Sequence, residues 1–409
     1  MKLRSIRDAQ GLEGKTVLLR VAYDVALQKH GTGFVVAQDF RIRATIPTIQ
    51  YLLKKKCRIV LLSWLKRPGG KVVEKYRMDP VARCLSGLLH KPVKKLDDCI
   101  GPKVFAEIQQ LRPGQLLLLE NVRFYPQEEE NDRRFAKLLV HGIDLIVFDA
   151  FGQAHRVHAS TTGIQRYRPT YAGFLVEREL NALSRISQNP KKPLVVVLGG
   201  AKISDKVAVL EQLVRLADRV LIGGGVANVF LKAQGIPIGE SFVEDIFVDK
   251  ARRKKVNFVR LAKKIYHQHG DKIVLPIDML AASRVDQKAM KEVVPLGVGE
   301  TIMPNWKFLD IGPATVKNFV REIQKSKTVF WNGPMGVFEI EAFAGGTKRI
   351  AQAIGRSKTV SILGGGDTER VVNEYRLEGK FDHVSTGGGA SLEFLAGKTL
   401  PAIQSLFIK

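Results

Sequence analysis

Short apolar runs that stop abruptly at glycine or proline recur through the second half of the chain: LVVVLGG, RVLIGGG, KIVLP, TVFWNGP and TVSILGGG. Runs this short and this continuously apolar read as strands covered on both faces, because a strand with one wet face would alternate. In the first half KTVLLRV, CRIVLLS, LLLLEN and IDLIVFD repeat the pattern. Helix-like segments lie between them: an amphipathic stretch over 41–56, a helix with Asp79 as N-cap and Pro80 at its first position, and a polar stretch over 131–140. Such alternation predicts largely parallel sheets joined by crossover helices. A longer helical segment over 172–188, closed by Asn189 and Pro190, interrupts the rhythm and reads as a linker between two doubly wound α/β domains.

With 409 residues, 45% of them hydrophobic, the chain has material for more than one core. No stretch reaches the length of a membrane span, and the opening MKLRSIRDAQ lacks the apolar core of a secretory signal, so the expected location is the cytoplasm. Cys57, Cys84 and Cys99 show no metal-type spacing and suit a reducing compartment. The 65 basic against 40 acidic residues give a formal charge of +25, which predicts attraction to polyanions or anionic metabolites. The basic run KARRKK at 250–255 reads as a solvated helical face in preference to a nucleic-acid patch.

In an open α/β sheet, ligands sit beyond the carboxyl ends of the strands, and there GGAKISDK (199–206), GGGVAN (223–228), WNGPMGVFE (331–339) and GGGDT (364–368) fall. Backbone amides bared by glycine at a helix N-terminus suit a phosphate, and an aspartate beside them suits a Mg²⁺ that the phosphate also ligates. A single glycine triplet is as well explained by a tight turn; four clusters in one half favour nucleotide binding. The two GKT triplets, at 14–16 and 397–399, are not P-loops, because Ala9 and Leu392 stand where the pattern requires glycine. No GxGxxG follows the first strand. The first half instead carries arginines just after strands: Arg20, Arg41, Arg67, Arg123 and Arg156. Forked guanidiniums converging on one cleft would grip a small, highly anionic substrate. His155 and His158 read as hydrogen-bonding neighbours of that anion, not as metal ligands.

Taken together, RIRATIPTI (41–49), KLDDCIG, ENVRFYP, DAFGQAHRVHAS (149–160), LDIGPAT (309–315), STGGGASLE (385–393) and the glycine motifs make the chain resemble the phosphoglycerate kinases over essentially its whole length. The resemblance implies two doubly wound, mostly parallel-sheet domains with a cleft between them. Residues 1–173 with 390–409 would form the acid-substrate domain, 174–189 the interdomain helix and 190–389 the nucleotide domain. The implied chemistry is reversible phosphoryl transfer between 1,3-bisphosphoglycerate and MgADP, giving 3-phosphoglycerate and MgATP, in a protein that is commonly a monomer. Arg41, Lys206 and Gly366 would be catalytic. Gly200, Ala201, Lys202, Lys206, Gly224, Gly225, Asn332, Pro334, Val337 and Glu339 would bind the nucleotide, with Gly365, Gly366, Asp367 and Thr368 at its phosphates and Asp367 on Mg²⁺. Arg41, Arg67, Arg123, His155 and Arg156 would meet the phosphoglycerate.

The chain departs from the family where the acid binds. The usual RVDFNVP reads RVAYDVA (20–26), which puts Ala22 for the aspartate, Asp24 for the asparagine and Ala26 for the proline. The usual SHLGRP reads SWLKRP, with Trp64 for a substrate-side histidine and Lys66 for a glycine. Arg20, Ala22, Tyr23, Asp24, Trp64 and Lys66 therefore define an altered acceptor pocket beside intact nucleotide motifs. The expectation is a working kinase in which Asp24 takes over a hydroxyl contact and Lys66 adds a phosphate contact, Trp64 being equally readable as buried filler. The alternatives are a kinase for a related small carboxylate or acyl phosphate, a nucleotide-binding relative without that turnover, and polyanion binding through the net charge.

Overall fold

The buried strands assemble into two separate parallel sheets. The computed structural model describes residues 2–249, 254–297 and 301–408. Contacts divide the chain into one unit of residues 1–181 with 399–409 and a second of 182–398. The helix Phe174–Ser187 contains the boundary between them.

In the first unit the sheet strands are β1 (Thr16–Val21), β2 (Arg58–Leu62), β3 (Val93–Lys95), β4 (Leu116–Leu118), β5 (Leu145–Asp149) and β6 (Thr170–Ala172). Their order is β3-β4-β2-β1-β5-β6, and every pairing is parallel. Strands β1, β4 and β5 are buried at every residue, as continuous apolar runs require when helices cover both faces. The chain leaves β1 in one direction to reach β2 and returns on the other side at β5. This reversal opens a crevice beyond their carboxyl ends, which is where such sheets receive ligands. The tail closes back on this unit, Phe407–Ile408 pairing antiparallel with Lys2–Leu3.

The second unit holds β7 (Leu194–Leu198), β8 (Arg219–Ile222), β9 (Ile273–Val274), β10 (Asp278–Ala282), β11 (Lys291–Pro295), β12 (Lys307–Ile311), β13 (Thr328–Asn332), β14 (Val360–Gly364) and β15 (His383–Val384). Its parallel sheet runs β9-β8-β7-β13-β14-β15, with the same reversal between β7 and β13. A smaller antiparallel sheet, β11-β10-β12, lies outside the βαβ rhythm.

The stretch 41–56 is two helices, Phe40–Arg43 and Ile46–Lys54, because Pro47 has no amide to continue the first into the second. The helix predicted from Asp79 begins with that residue inside it, Met78 taking the cap. The polar stretch 131–140 forms Arg133–Leu139, capped by Asp132, whose carboxylate accepts from the Phe135 amide at 2.7 Å. Most of the basic run at 250–255 lies outside the described residues. Among the described residues no helix is long and apolar enough to cross a membrane.

Candidate active site

Beyond β1 and β5, the first unit gathers arginines whose hydrogen-bonding partners come from four loops. Arg20, on β1, is fully buried. Its Nε donates to Ser160 Oγ at 3.0 Å and its Nη1 to the Val21 carbonyl. Ser160 in turn donates its hydroxyl and its amide to Glu128, at 2.6 and 2.9 Å. Burial pushes the Arg20 guanidinium down to about 9, against the opposing pull of Glu128, so it stays charged at neutral pH. Arg123 follows β4, where Asn121 caps a short turn by accepting from the Arg123 amide. Its Nη1 donates to the Lys66 carbonyl at 2.8 Å, and its Nε lies 3.0 Å from Glu129 Oε1. Burial lowers its pKa too, with Glu129 opposing.

The altered loops are wired into this cluster. Trp64 is 3% exposed, and its ring carries the Arg20 guanidinium at 4.5 Å and that of Arg123 at 4.2 Å. Lys66 adopts the left-handed conformation, φ +60°, at the place where the family's motif has glycine. From there its amide donates to Asp24 Oδ1 at 3.0 Å and its ammonium approaches the same oxygen at 3.8 Å. Arg41 Nη1 donates to the Asp24 carbonyl at 2.9 Å. Tyr23 turns inward: it is fully buried, its amide donates to Ser63 Oγ at 2.9 Å and its hydroxyl shares a hydrogen bond with Thr45 at 2.7 Å. Ala22 is buried beside it, His155 is half-buried, and Arg67 and Arg156 stand exposed.

In the second unit the glycine turns pack backbone on backbone at the β7–β13 reversal. Gly200 donates its amide to the Pro334 carbonyl at 2.7 Å. A Cβ on Gly225 would stand 2.4 Å from the Ala201 carbonyl oxygen, and one on Gly333, at φ +90°, would stand 2.5 Å from that of Gly199. Side chains at those places would drive the loops apart. The triplet at 364–366 divides differently. Gly365 has φ +97° with Asn332 Nδ2 2.6 Å from where its Cβ would be, whereas a Cβ on Gly366 would meet nothing within 4 Å. Gly366 is exposed at the start of the helix Gly366–Glu374, with Asp367 exposed next to it. Thr368 is buried, and its hydroxyl accepts from the Gly333 amide at 2.8 Å. Asn332 donates to the Gly364 carbonyl at 2.7 Å and leaves its buried Oδ1 unpartnered.

A cavity of about 520 Å³ opens among these turns, lined by Gly200, Ala201, Gly224, Gly225, Pro334, Val337, Glu339 and Asp367. The sequence reading missed further lining from Asn228, Phe242, Met279, Phe308 and Asp310. Of these Asn228 carried a signal as the end of GGGVAN, and Asp310 as an acid inside the strand Lys307–Ile311. Asp310 is 2% exposed, and burial pushes its carboxyl up to about 7 although the Gly346 and Ile311 amides donate to it at 2.7 and 2.9 Å. Lys206, Asn332, Gly365, Gly366 and Thr368 are not in the lining, nor is Lys202, which is exposed. The Lys206 ammonium is 3.1 Å from where a Gly200 Cβ would be, directly behind the turn. Burial lowers its pKa, and the charges of Asp205 and Asp367 oppose that shift.

A sequence model of the family described as phosphoglycerate kinase matches residues 6–398. The chain belongs to the phosphoglycerate kinase family. The phosphoglycerate kinase of Rubrobacter xylanophilus is 46% identical over 406 residues, which covers 99% of this chain and 98% of that one. That of Pelotomaculum thermopropionicum is 43% identical over 409 residues and covers all of both. Among solved structures, phosphoglycerate kinase from Coxiella burnetii superposes with a TM-score of 0.83 at 38% identity over 99% of each chain. The Pyrococcus horikoshii structure gives 0.85 at 34% identity, over 99% of this chain and 98% of that one. Membership makes the chain a phosphotransferase with a carboxyl group as acceptor, and the two parallel sheets match the family's fold.

Proposed function

We propose that the chain transfers a phosphoryl group reversibly between 1,3-bisphosphoglycerate and ADP. The first-unit site, in the part of the chain covering 1–173 and 390–409, takes the acid; the second-unit cavity, in 190–389, takes the nucleotide; residues 174–189 connect them. The observation that carries this reading is the pairing of chemistries at the two sheet reversals: arginines at one, a nucleotide-sized cavity beside glycine turns at the other. The apolar wall of Met279, Phe308, Val337 and Phe338 suits a base, Glu339 at the rim suits ribose hydroxyls, and the turns with the start of the helix Gly366–Glu374 suit phosphates.

No general base is required, since a carboxylate or ADP attacks already ionised. The work is positioning and charge stabilisation. Arg41, held by the Asp24 carbonyl, and Lys206 supply positive charge to the transferring group, while Arg67, Arg123 and Arg156 hold the acid's own phosphate. Among the described residues no group of three acidic, histidine or cysteine side chains could cage a metal. A lone exposed Asp367 fits a Mg²⁺ that keeps water and phosphate oxygens as its other ligands. When bound, that ion neutralises phosphate charge. Transfer requires the two sites to approach and exclude water, so domain closure belongs to the cycle. We place this cycle in the cytoplasm and in a monomer, a location supported by three unpaired thiols.

The test is separate titration of each ligand into two variants. Arg41→Ala is expected to lose 3-phosphoglycerate and keep ATP; Asp367→Ala is expected to weaken Mg-dependent ATP binding and keep the acid. Both ligands weakening equally in both variants would refute the division of sites.

A second reading, polyanion binding, is favoured by one groove of about 1050 Å³ between the helices Pro313–Lys325 and Gly345–Arg356. Lys317, Arg321, Arg349 and Arg356 line it with no aspartate or glutamate among the lining residues.

A further inference from the structure

We infer that Trp64 is a positioning residue of the acceptor site, an aromatic brace that holds the Arg20 and Arg123 guanidiniums without cancelling their charge. This rests on the first-unit site being the acceptor site. Two guanidiniums are buried in one cluster, and the charge of Arg123 is among the influences that lower the Arg20 pKa. Glu129 already pairs with Arg123 at 3.0 Å, and Glu128 reaches Arg20 through Ser160. A further carboxylate against each guanidinium would cancel the positive potential that a doubly charged phosphate needs. An indole face attracts a guanidinium through its quadrupole and leaves both the formal charge and the N–H donors intact.

The geometry is that of a brace. The guanidinium carbons stand 4.5 and 4.2 Å from the centre of the Trp64 ring, and the His158 ring packs against it at 5.2 Å. The backbone on either side is pinned. Ser63 Oγ accepts from the Tyr23 amide at 2.9 Å, and the Leu65 amide and carbonyl meet the Asn121 side chain at 3.2 and 2.7 Å. The ring therefore cannot drift, and the arginines lie against a fixed surface. Arg20 Nη2 remains buried with no hydrogen-bond partner, a donor held in place but unspent. A space-filling residue would be interchangeable with any large apolar side chain; a brace requires the aromatic face.

The test compares Trp64→Phe with Trp64→Leu, alone and in an Arg123→Ala background, by KM for 3-phosphoglycerate, KM for ATP and the thermal midpoint. Trp64→Leu is expected to raise KM for the acid about thirtyfold, the ratio that one desolvated cation–π contact corresponds to, with KM for ATP unchanged. Trp64→Phe should recover most of that loss, and the leucine effect should shrink, leaving the Arg20 share, once Arg123 is gone. Equal effects of phenylalanine and leucine, a leucine effect undiminished without Arg123, or a lowered midpoint with unchanged KM would overturn the brace. Calorimetric titration of 3-phosphoglycerate carries the same comparison without turnover. A chain that binds the acid but does not phosphorylate it would thus fail the functional reading while leaving the brace to stand or fall on its own affinities.

Discussion

Lys66 holds a backbone conformation that costs an L side chain about 1–2 kcal/mol relative to glycine. Its amide would survive substitution and still reach Asp24; its ammonium would not. Lys66→Gly is therefore expected to raise the unfolding midpoint while weakening 3-phosphoglycerate, by about threefold for one half-exposed cation. Chemical denaturation beside steady-state kinetics checks both signs at once. Lys206 makes a different prediction. Burial lowers its pKa, so it loses its proton at a lower pH than a free lysine, and a cation that stabilises the transferring group must keep that proton. The rate is expected to fall on the alkaline side below the ordinary lysine range, and Lys206→Met to cost about 10²–10³ in kcat with that limb abolished. Arg123 was legible as an arginine after a strand, and Asp24 and Trp64 as departures from the family's motifs; Arg41, expected after a strand, stands in the helix Phe40–Arg43. Their surroundings were not, because Ser160, with Glu128 behind it, reaches Arg20 from a loop distant in sequence, and a backbone carbonyl such as that of Lys66 leaves no mark in a sequence.

Both units bury acids at or next to strand ends that accept from backbone amides far along the chain. Asp149, closing β5, accepts from the Leu175 and Val176 amides at the start of the helix Phe174–Ser187, at 2.9 and 3.2 Å. Burial pushes its carboxyl up to about 7, far above its unfolded value near 3.9. The folded state then binds the extra proton between those values, so the contribution of Asp149 to stability is greatest below about pH 4 and falls as pH rises to about 7, by at most about 1.4 kcal/mol per pH unit. Asp149→Asn is expected to flatten that slope in urea unfolding across pH 4 to 8. Glycines give a second contrast between elements. Gly225→Ala would push its methyl into the Ala201 carbonyl and should weaken ATP and destabilise the fold, whereas Gly366→Ala has open space and should keep the melting temperature while lowering turnover. The parallel strands and their glycine ends could be read from sequence because full burial leaves an unbroken apolar run. The antiparallel β10–β12 sheet could not, since β11 is mostly exposed and reads as polar loop.

Across the molecule, one design appears in each unit: a parallel sheet whose strand order reverses once, which opens a crevice beyond the strands' carboxyl ends. The proposed division of labour rests on glycines in one half and arginines in the other, but the hydrogen bonds that tie RVAYDVA to SWLKRP emerge only when β1 and β2 lie side by side. The net charge acts on the molecule as a whole. If the groove between the helices Pro313–Lys325 and Gly345–Arg356 takes polyanions, binding of a heparin fragment should fall linearly on a log–log salt plot, with a shallower slope in Arg321→Ala/Arg349→Ala. An unchanged slope would place the charge effect elsewhere.

Whether the altered pocket still presents 3-phosphoglycerate to the nucleotide is decided by ATP-dependent, Mg²⁺-dependent phosphorylation of 3-phosphoglycerate, coupled to reduction of the product. Turnover saturable in both substrates, and lost in Arg41→Ala and in Asp367→Ala, is expected. ATP bound with no 3-phosphoglycerate-dependent release of ADP would refute it.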